Sequence, residues 1–437
     1  MVAKTSPDLT SPFRGWVRYR DRFAIEQLQL EPIGPTDVVV HNRAAQACYT
    51  LAEFLPDGLH TDAASDATLT PRGGHDFTDG RAKAPGHGAA GVVVAVGSQV
   101  RRVAVGDRVV TTVLPSCGTC YSCVRGEWYA CGHKNDIQWA DRDNPAFATL
   151  LDGTPVWQDH TGGFAELSVC QEAWVVPVND SPLSDVELSA LSCAPGSGWS
   201  FGLIGMPITI ASSVAVIGTG PLGLAIIQAA RMMGARLIIA VERIPHRMTA
   251  AKEAGAHVVL DADELDADVV ERIRELCGPT SENMAAGGKP YTGFYHGRGA
   301  DHVFEATGRT FGAPSTGQPR DPTGSAPVSW GVAATRRGGT FVHTGWTAPT
   351  SDPAVWDPAP GPFDYHAKQY LSASYGGGNV LRDIPRLAKL IESGHLDARA
   401  LCDPVLPFEQ GDIALRHALD RDRILPIISY AAPAGQV

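Results

Sequence analysis

Four cysteines fall in one short stretch, SCGTCYSCVRGEWYACGHK, at Cys117, Cys120, Cys123 and Cys131. Two residues separate each of the first three, and seven separate the third from the fourth. Four thiolates converging from one small loop suit a closed tetrahedral Zn²⁺ site, with Zn–S near ~2.3 Å. Gly118, Gly126 and Gly132 let the chain turn tightly around such a centre. A site closed by four sulfurs has no open coordination position, so it does no chemistry of its own. It is the landmark from which the other segments take their meaning.

Two rival readings of the cysteines are weaker. The first residues, MVAKTSPDLTSPFRGW, lack the apolar core of a secretion signal, and thiols in the cytosol stay mostly reduced, which counts against disulfides. A nucleic-acid zinc finger needs a basic footprint, whereas the formal net charge here is −11. Structural zinc within residues 115–133 is the reading retained. The same balance makes nucleic acid an unexpected partner and says little about a small molecule.

At 437 residues the chain exceeds one ordinary core, so two domains are expected. No apolar run reaches the ~18–20 residues that span a bilayer, so no membrane partner is expected and the cytoplasm is the default location. Residues 35–50, PTDVVVHNRAAQACYT, read as a strand and a turn. Residues 86–110 alternate Val-rich runs with glycine turns, as a barrel-like β region does, and GGFAELSVCQEAWVVPV resumes the pattern. Polar or Gly/Pro-rich stretches at about 55–85, 278–298, 311–328 and 347–364 read as inserted surface excursions.

The character changes near residue 195. ITIASSVAVIGTGPLGLAIIQAARMMGARLIIAVERI reads as strand, glycine turn, long helix and strand. GADHVFEATG and GGTFVHTGW read as further buried parallel strands. Gly218, Gly220 and Gly223, with Pro221 and Leu222 between the last two, form a G-x-G-x-x-G turn. The first glycine permits the turn, the second lets the backbone approach a pyrophosphate, and the third lets helix and strand pack closely. The helix N-terminus adds amide donors and a partial positive charge. Glu242 ends the next strand, nineteen residues after Gly223. A carboxylate there accepts from the adenine-ribose hydroxyls and repels a 2′-phosphate, which predicts NAD over NADP. Arg243 and Arg247 follow it and work against that preference.

Cys48 in QACYT, His87 in PGHGAAG and Cys193 in LSCAPGSGWS are far apart in sequence. Together with the cysteine lobe and GTGPLG, they resemble the zinc-containing medium-chain dehydrogenase/reductase family, the liver-type alcohol dehydrogenases. The resemblance covers nearly the whole chain. It implies a mainly-β GroES-like catalytic domain at 1–194, a Rossmann doubly wound parallel sheet at 195–373, and a return to the catalytic domain at 374–437. It further implies a catalytic zinc on Cys48, His87 and Cys193, hence two Zn²⁺ per chain, and a homodimer or homotetramer. Thr50 matches the family's hydroxyl that takes the substrate proton. The pocket is expected between the domains near Thr50, His87 and Cys193, with Trp199 as a wall or as packing, and the excursion after Cys48 beside its mouth.

Several positions depart from the family. Gly88 stands where a glutamate usually follows the histidine ligand, and Leu51 where an aspartate usually supports that histidine. Leu425 is the expected counterpart of the arginine that pairs with this aspartate, which would make both partners of an ion pair apolar together. Tyr49 replaces a basic residue expected near the pyrophosphate, and Glu53 takes the place of a relay histidine. The function expected is NAD-dependent interconversion of an alcohol with its aldehyde or ketone. The alternative is a reductase of an activated double bond or carbonyl without a catalytic metal, and a non-catalytic nucleotide sensor of the same fold is the third reading.

Overall fold

The structure, a computed structural model, describes residues 9–19, 22–56, 80–132, 146–265, 268–278, 284–285, 289–290, 299–308, 325–345 and 367–430. The chain divides into two compact units, Met1–Gly196 with Gly378–Val437, and Ser197–Gly377. The divisions fall a few residues later than the expected 194/195 and 373/374.

The first unit contributes β1 (Phe13–Tyr19), β2 (Arg22–Leu30), β3 (Asp37–Gln46), β4 (Ala82–Ala84), β5 (Ala89–Val96), β6 (Arg108–Thr111), β7 (Ala148–Leu150), β8 (Pro155–Gln158), β9 (Leu167–Gln171) and β10 (Val175–Pro177). The second holds β11 (Ser213–Ile217), β12 (Leu237–Glu242), β13 (Val258–Asp261), the short pair β14 (Met284–Ala285) and β15 (Lys289–Pro290), β16 (Ala300–Glu305), β17 (Thr335–His343) and β18 (Gln369–Leu371). The chain then returns to the first unit with β19 (Cys402–Pro407) and β20 (Leu425–Ser429).

In the first unit, β1, β2, β7, β8 and β4 close into a barrel. A second sheet runs β10, β6, β5, β3, β20 and β19, with β9 also on β3. The β3 sequence DVVVHNRAAQ explains why this strand is central. Side chains alternate between faces along a strand. Val38 and Val40 enter one core with Val93, Val109 and Trp174, while Val39 enters the barrel core with Phe13, Val17 and Leu28. Each buried valine contributes about 1.5–3 kcal/mol over exposure. The strand is pinned from both sides, and its C-terminal end delivers Cys48 and Thr50 to one fixed place.

In the second unit a parallel sheet runs β13, β12, β11, β16, β17 and β18. Counted from β11 this is the order 3-2-1-4-5-6 of dinucleotide-binding sheets, which reverses between β11 and β16. Ile217, Ile239, Val241, Val303 and Phe341 fill one core of this sheet. Trp199 is fully buried, and its indole N–H donates to Gln228 Oε1 at 3.2 Å. It therefore packs against the helix Pro221–Met232.

The expected excursions lie largely outside the described residues, and 347–364 lies wholly outside them. Two parts of them are core rather than surface. Residues 82–84 form β4, where Ala82 and Ala84 are buried in the barrel. The helix Ser325–Ala334 begins within the third stretch and buries Val328 and Val332. Among the described residues no helix is long and apolar enough to cross a membrane.

Candidate metal centre and dinucleotide turn

The sulfurs of Cys117, Cys120, Cys123 and Cys131 all lie within 4.8 Å of one another. Cys117 Sγ is 3.9 Å from Cys123 Sγ, and Cys120 Sγ is 4.0 Å from Cys131 Sγ. Tetrahedral sulfurs around Zn²⁺ stand ~3.8 Å apart, whereas a disulfide needs ~2.05 Å. The set therefore has the spacing of a four-thiolate cage. Backbone N–H groups of Thr119 and Cys120 donate to Cys117 Sγ at 3.4 and 3.3 Å. Left-handed glycines at 118 (φ +76°) and 126 (φ +85°) make the turns that aim these groups inward. Burial pushes the Cys123 thiol up to about 12, reinforced by the neighbouring thiols, so its ionisation would call for a cation beside it.

Cys48, His87 and Cys193 come together from the end of β3, the turn before β5 and the segment after a short helix, Asp185–Ala190. Their donor atoms lie within 4.8 Å of one another. Cys193 Sγ is 3.8 Å from His87 Nδ1, and Thr50 Oγ1 stands 3.4 Å from Cys48 Sγ and 3.4 Å from each His87 ring nitrogen. The Cys48 thiol is held well below its usual value, chiefly by the Cys193 thiol donating to it and then by the charge of His87; burial opposes this. Burial pulls the His87 pKa down, but Cys48 and Asp159 outweigh it and the net shift is upward.

The departures from the family acquire physical reasons. Gly88 has φ +123°, and a Cβ there would stand 2.4 Å from Thr111 O and 2.8 Å from Ser192 Cβ. No side chain fits beside His87, so a glutamate at 88 would need a different turn. Leu51 is fully buried in an apolar cluster with Phe54, Ala89, Phe164 and Leu415. The expected pairing of Leu425 with Leu51 does not hold. Ile428 joins the Leu51 cluster, and strand alternation puts Leu425 on the opposite face of β20, across from Cys402 and Asp403. Tyr49 carries a cation after all, because the Arg421 guanidinium lies over its ring at 4.7 Å. The Glu53 side chain lies outside what is described.

Two residues at this centre escape sequence reasoning. Asp159 and His160 follow β8, and their donor atoms lie within 4.8 Å of that of His87. Asp159 Oδ1 is 2.8 Å from His160 Nδ1, and the His87 and His160 rings meet edge to face at 4.7 Å. Only the adjacency of an acid and a histidine in WQDHTGG marks them, a pattern too common to single out. Their approach to His87 depends on Gly86 lying against Gly162, where a Cβ on residue 86 would sit 1.6 Å from the carbonyl oxygen.

In the second unit the glycine turn joins β11 to the helix Pro221–Met232, with Gly220 as its N-cap and Pro221 at its first turn. Gly218 has φ +88°, and a Cβ there would meet Thr307 Cγ2 at 2.7 Å. A Cβ on Gly223 would reach 2.0 Å from Gly218 O, so helix and turn touch backbone to backbone. Gly220 differs: a Cβ there meets only Arg247 Nη1, at 3.6 Å. Its bareness answers no protein neighbour and leaves a cradle a Cβ would partly fill, as close approach of a pyrophosphate requires.

Glu242 is turned toward the chain itself. One carboxylate oxygen accepts from Thr219 N and Oγ1 at 2.8 and 3.0 Å, and the other from Arg243 N and Ile244 N at 2.8 and 3.1 Å. Four accepted bonds fill the capacity of a carboxylate, so ribose hydroxyls would have to share or displace them. Arg243 is paired with Asp263 at 2.5 Å.

Two family models match the chain in order: "Alcohol dehydrogenase GroES-like domain" over residues 34–180 and "Zinc-binding dehydrogenase" over residues 221–314. An NDMA-dependent alcohol dehydrogenase of Amycolatopsis methanolica is 25% identical over 417 residues, covering 94% of this chain and 96% of the relative. Among solved structures, an alcohol dehydrogenase zinc-binding domain protein from Burkholderia ambifaria is 24% identical with a TM-score of 0.72, covering 96% of this chain and 99% of that one. Benzyl alcohol dehydrogenase from Acinetobacter calcoaceticus is 21% identical with a TM-score of 0.71, covering 96% and 100%. Both domain types occur in sequence order on the two units described above, and the chain belongs to the zinc-containing medium-chain dehydrogenase/reductase family.

Proposed function

We infer that the protein is a zinc-dependent alcohol dehydrogenase that moves a hydride between an alcohol and a nicotinamide dinucleotide, with NAD preferred. One observation carries this reading: two sulfurs and one imidazole nitrogen within 4.8 Å of one another, with a threonine hydroxyl at 3.4 Å. Three donors of this kind suit zinc with one coordination position left for substrate, while the four-cysteine set suits a second, closed zinc. When bound, zinc would supply Lewis acidity and the nicotinamide would accept the hydride.

The chain's own residues do the rest. Cys48, His87 and Cys193 would hold the metal, and Thr50 Oγ1 would take the proton of the substrate hydroxyl as it passes its own proton on to solvent. Gly218, Gly220 and Gly223, with the Leu222 and Gly223 N–H groups in the first turn of the helix that Pro221 opens, would hold the pyrophosphate. The charge of Glu242 disfavours a 2′-phosphate, and Arg243 is already neutralised by Asp263. Assembly into two or four copies belongs to the same proposal.

The test is zinc counting beside an alcohol and aldehyde panel with NAD(H) and NADP(H). The expected result is two zinc per chain, falling to one in Cys48→Ala together with loss of alcohol oxidation, and a higher kcat/KM with NAD. One zinc per chain, unchanged in Cys48→Ala, would instead favour the metal-free reductase.

A further inference from the structure

Glu305 ends β16 with its side chain fully buried, beside the point where the strand order reverses. In sheets of this order a dinucleotide lies across the crevice outside the carboxyl ends of the strands, one mononucleotide half on each side. The strands β11, β12 and β13 carry the glycine turn and Glu242 and form the adenine half, which leaves β16, β17 and β18 as the nicotinamide half. We propose that Glu305 is a positioning residue for the nicotinamide half of the dinucleotide, holding the segments after β16 and β17 in the one arrangement that receives it. This rests on the dinucleotide reading above.

Three chain segments meet at this residue. Its Oε1 accepts from Thr307 N at 2.7 Å and from the Thr307 hydroxyl, and its Oε2 accepts from Gly345 N at 3.2 Å. Its backbone carbonyl accepts from Thr344 N at 2.9 Å, Thr344 Oγ1 at 2.8 Å and Gly345 N at 3.1 Å. Thr307 in turn backs the glycine turn, since a Cβ on Gly218 would meet its Cγ2 at 2.7 Å and its N at 3.0 Å. Ala306 N donates to Ile217 O at 2.8 Å, which ties the same segment to the end of β11. On the other side, a Cβ on Gly345 would stand 2.0 Å from Thr307 O, so the segments after β16 and β17 touch backbone to backbone. His343 Nε2 stands 3.3 Å from Glu305 Oε2, and His343 Nδ1 lies 2.9 Å from the Tyr370 hydroxyl, so β17 and β18 converge on the same carboxyl.

Burying this carboxyl works against the fold. Desolvation raises its pKa to about 7, and the donors of Thr307 and Gly345 offset that only in part. Those donors lie just beyond the strand ends, at the crevice, rather than in the sheet interior. Bonds from backbone N–H to a carboxylate are stronger than neutral ones, so they fix these segments more firmly than an amide side chain would. A bound group is held in one orientation only when the segments around it are themselves fixed.

The test is isothermal titration calorimetry of the full chain with NADH and, separately, with AMP, which has no nicotinamide half. Glu305→Ala should weaken NADH by about tenfold or more, the scale of losing one to three hydrogen bonds to ordered backbone, and leave AMP within about twofold of wild type. Glu305→Gln keeps one acceptor oxygen for Thr307 but sets an amide NH₂ against Gly345 N. It should weaken NADH in the same direction by a smaller factor, and it carries the test if Glu305→Ala does not fold. Unchanged NADH affinity in both variants would overturn the proposal. So would NADH and AMP weakening in equal proportion, since that marks a residue that only supports the fold. Wild type binding neither nucleotide would instead overturn the dinucleotide reading itself, whatever the variants do.

Discussion

Gly88→Ala is the smallest change that probes how tightly the His87 turn is built. The backbone there, at φ +123°, is one an L-residue adopts only under strain, at a cost of about 1–3 kcal/mol. The new methyl would also stand 2.4 Å from Thr111 O and 2.8 Å from Ser192 Cβ. Thr111 O belongs to β6 and cannot rotate away, so overpacking adds about 1–3 kcal/mol. A stiffer unfolded chain returns ~0.4–1 kcal/mol. The net loss is about 1–5 kcal/mol, or roughly 3–15 °C in the melting temperature of a unit of this size. Scanning calorimetry resolves that shift. Ser192 precedes Cys193 and Gly88 follows His87, so the strain falls on two ligand positions and zinc content should fall as well. A Gly88→Ala protein melting within a degree of wild type, with full zinc, would refute the reasoning.

Two further outcomes test the second unit. Burial raises the Glu305 pKa to about 7, against partial relief from Thr307 and Gly345 donors. A raised folded pKa means the acid form favours folding: its contribution is complete below the ordinary value of 4.5 and is lost as pH rises through about 7. The urea-derived stability of wild type relative to Glu305→Gln should therefore fall by about 3 kcal/mol between pH 5 and 8, and a flat difference would sink the idea. Glu242→Ala leaves the N–H groups of Thr219, Arg243 and Ile244 without their acceptor. It should lower the urea midpoint of this unit by about 1–3 kcal/mol equivalents even without cofactor, and an unchanged midpoint would mean water or another group replaces the carboxylate.

Much of the architecture was legible because it is local. Alternating valines over 37–46, a glycine turn between apolar runs, and four cysteines at short spacing each encode their own conformation within a few residues. The strand end at Glu242 was legible for the same reason. The excursions at 55–85 and 311–328 were misjudged in part. Composition marks a polar stretch but cannot show that the three-residue strand Ala82–Ala84 helps close a barrel.

Sequence alone determined the closed cysteine lobe and the dinucleotide turn, since both rest on contacts among near neighbours in the chain, while the fold class was legible through the family resemblance. Tertiary structure alone decided what surrounds His87. Residues 48, 87 and 193 meet, and Asp159 and His160 reach His87, only because β3, β5 and β8 are held in one pair of sheets. It also showed that Gly88 is there for want of space and that Glu242 spends its acceptors on the chain. Side chains distant in sequence converge through packing, and packing is a property of the whole fold rather than of any segment.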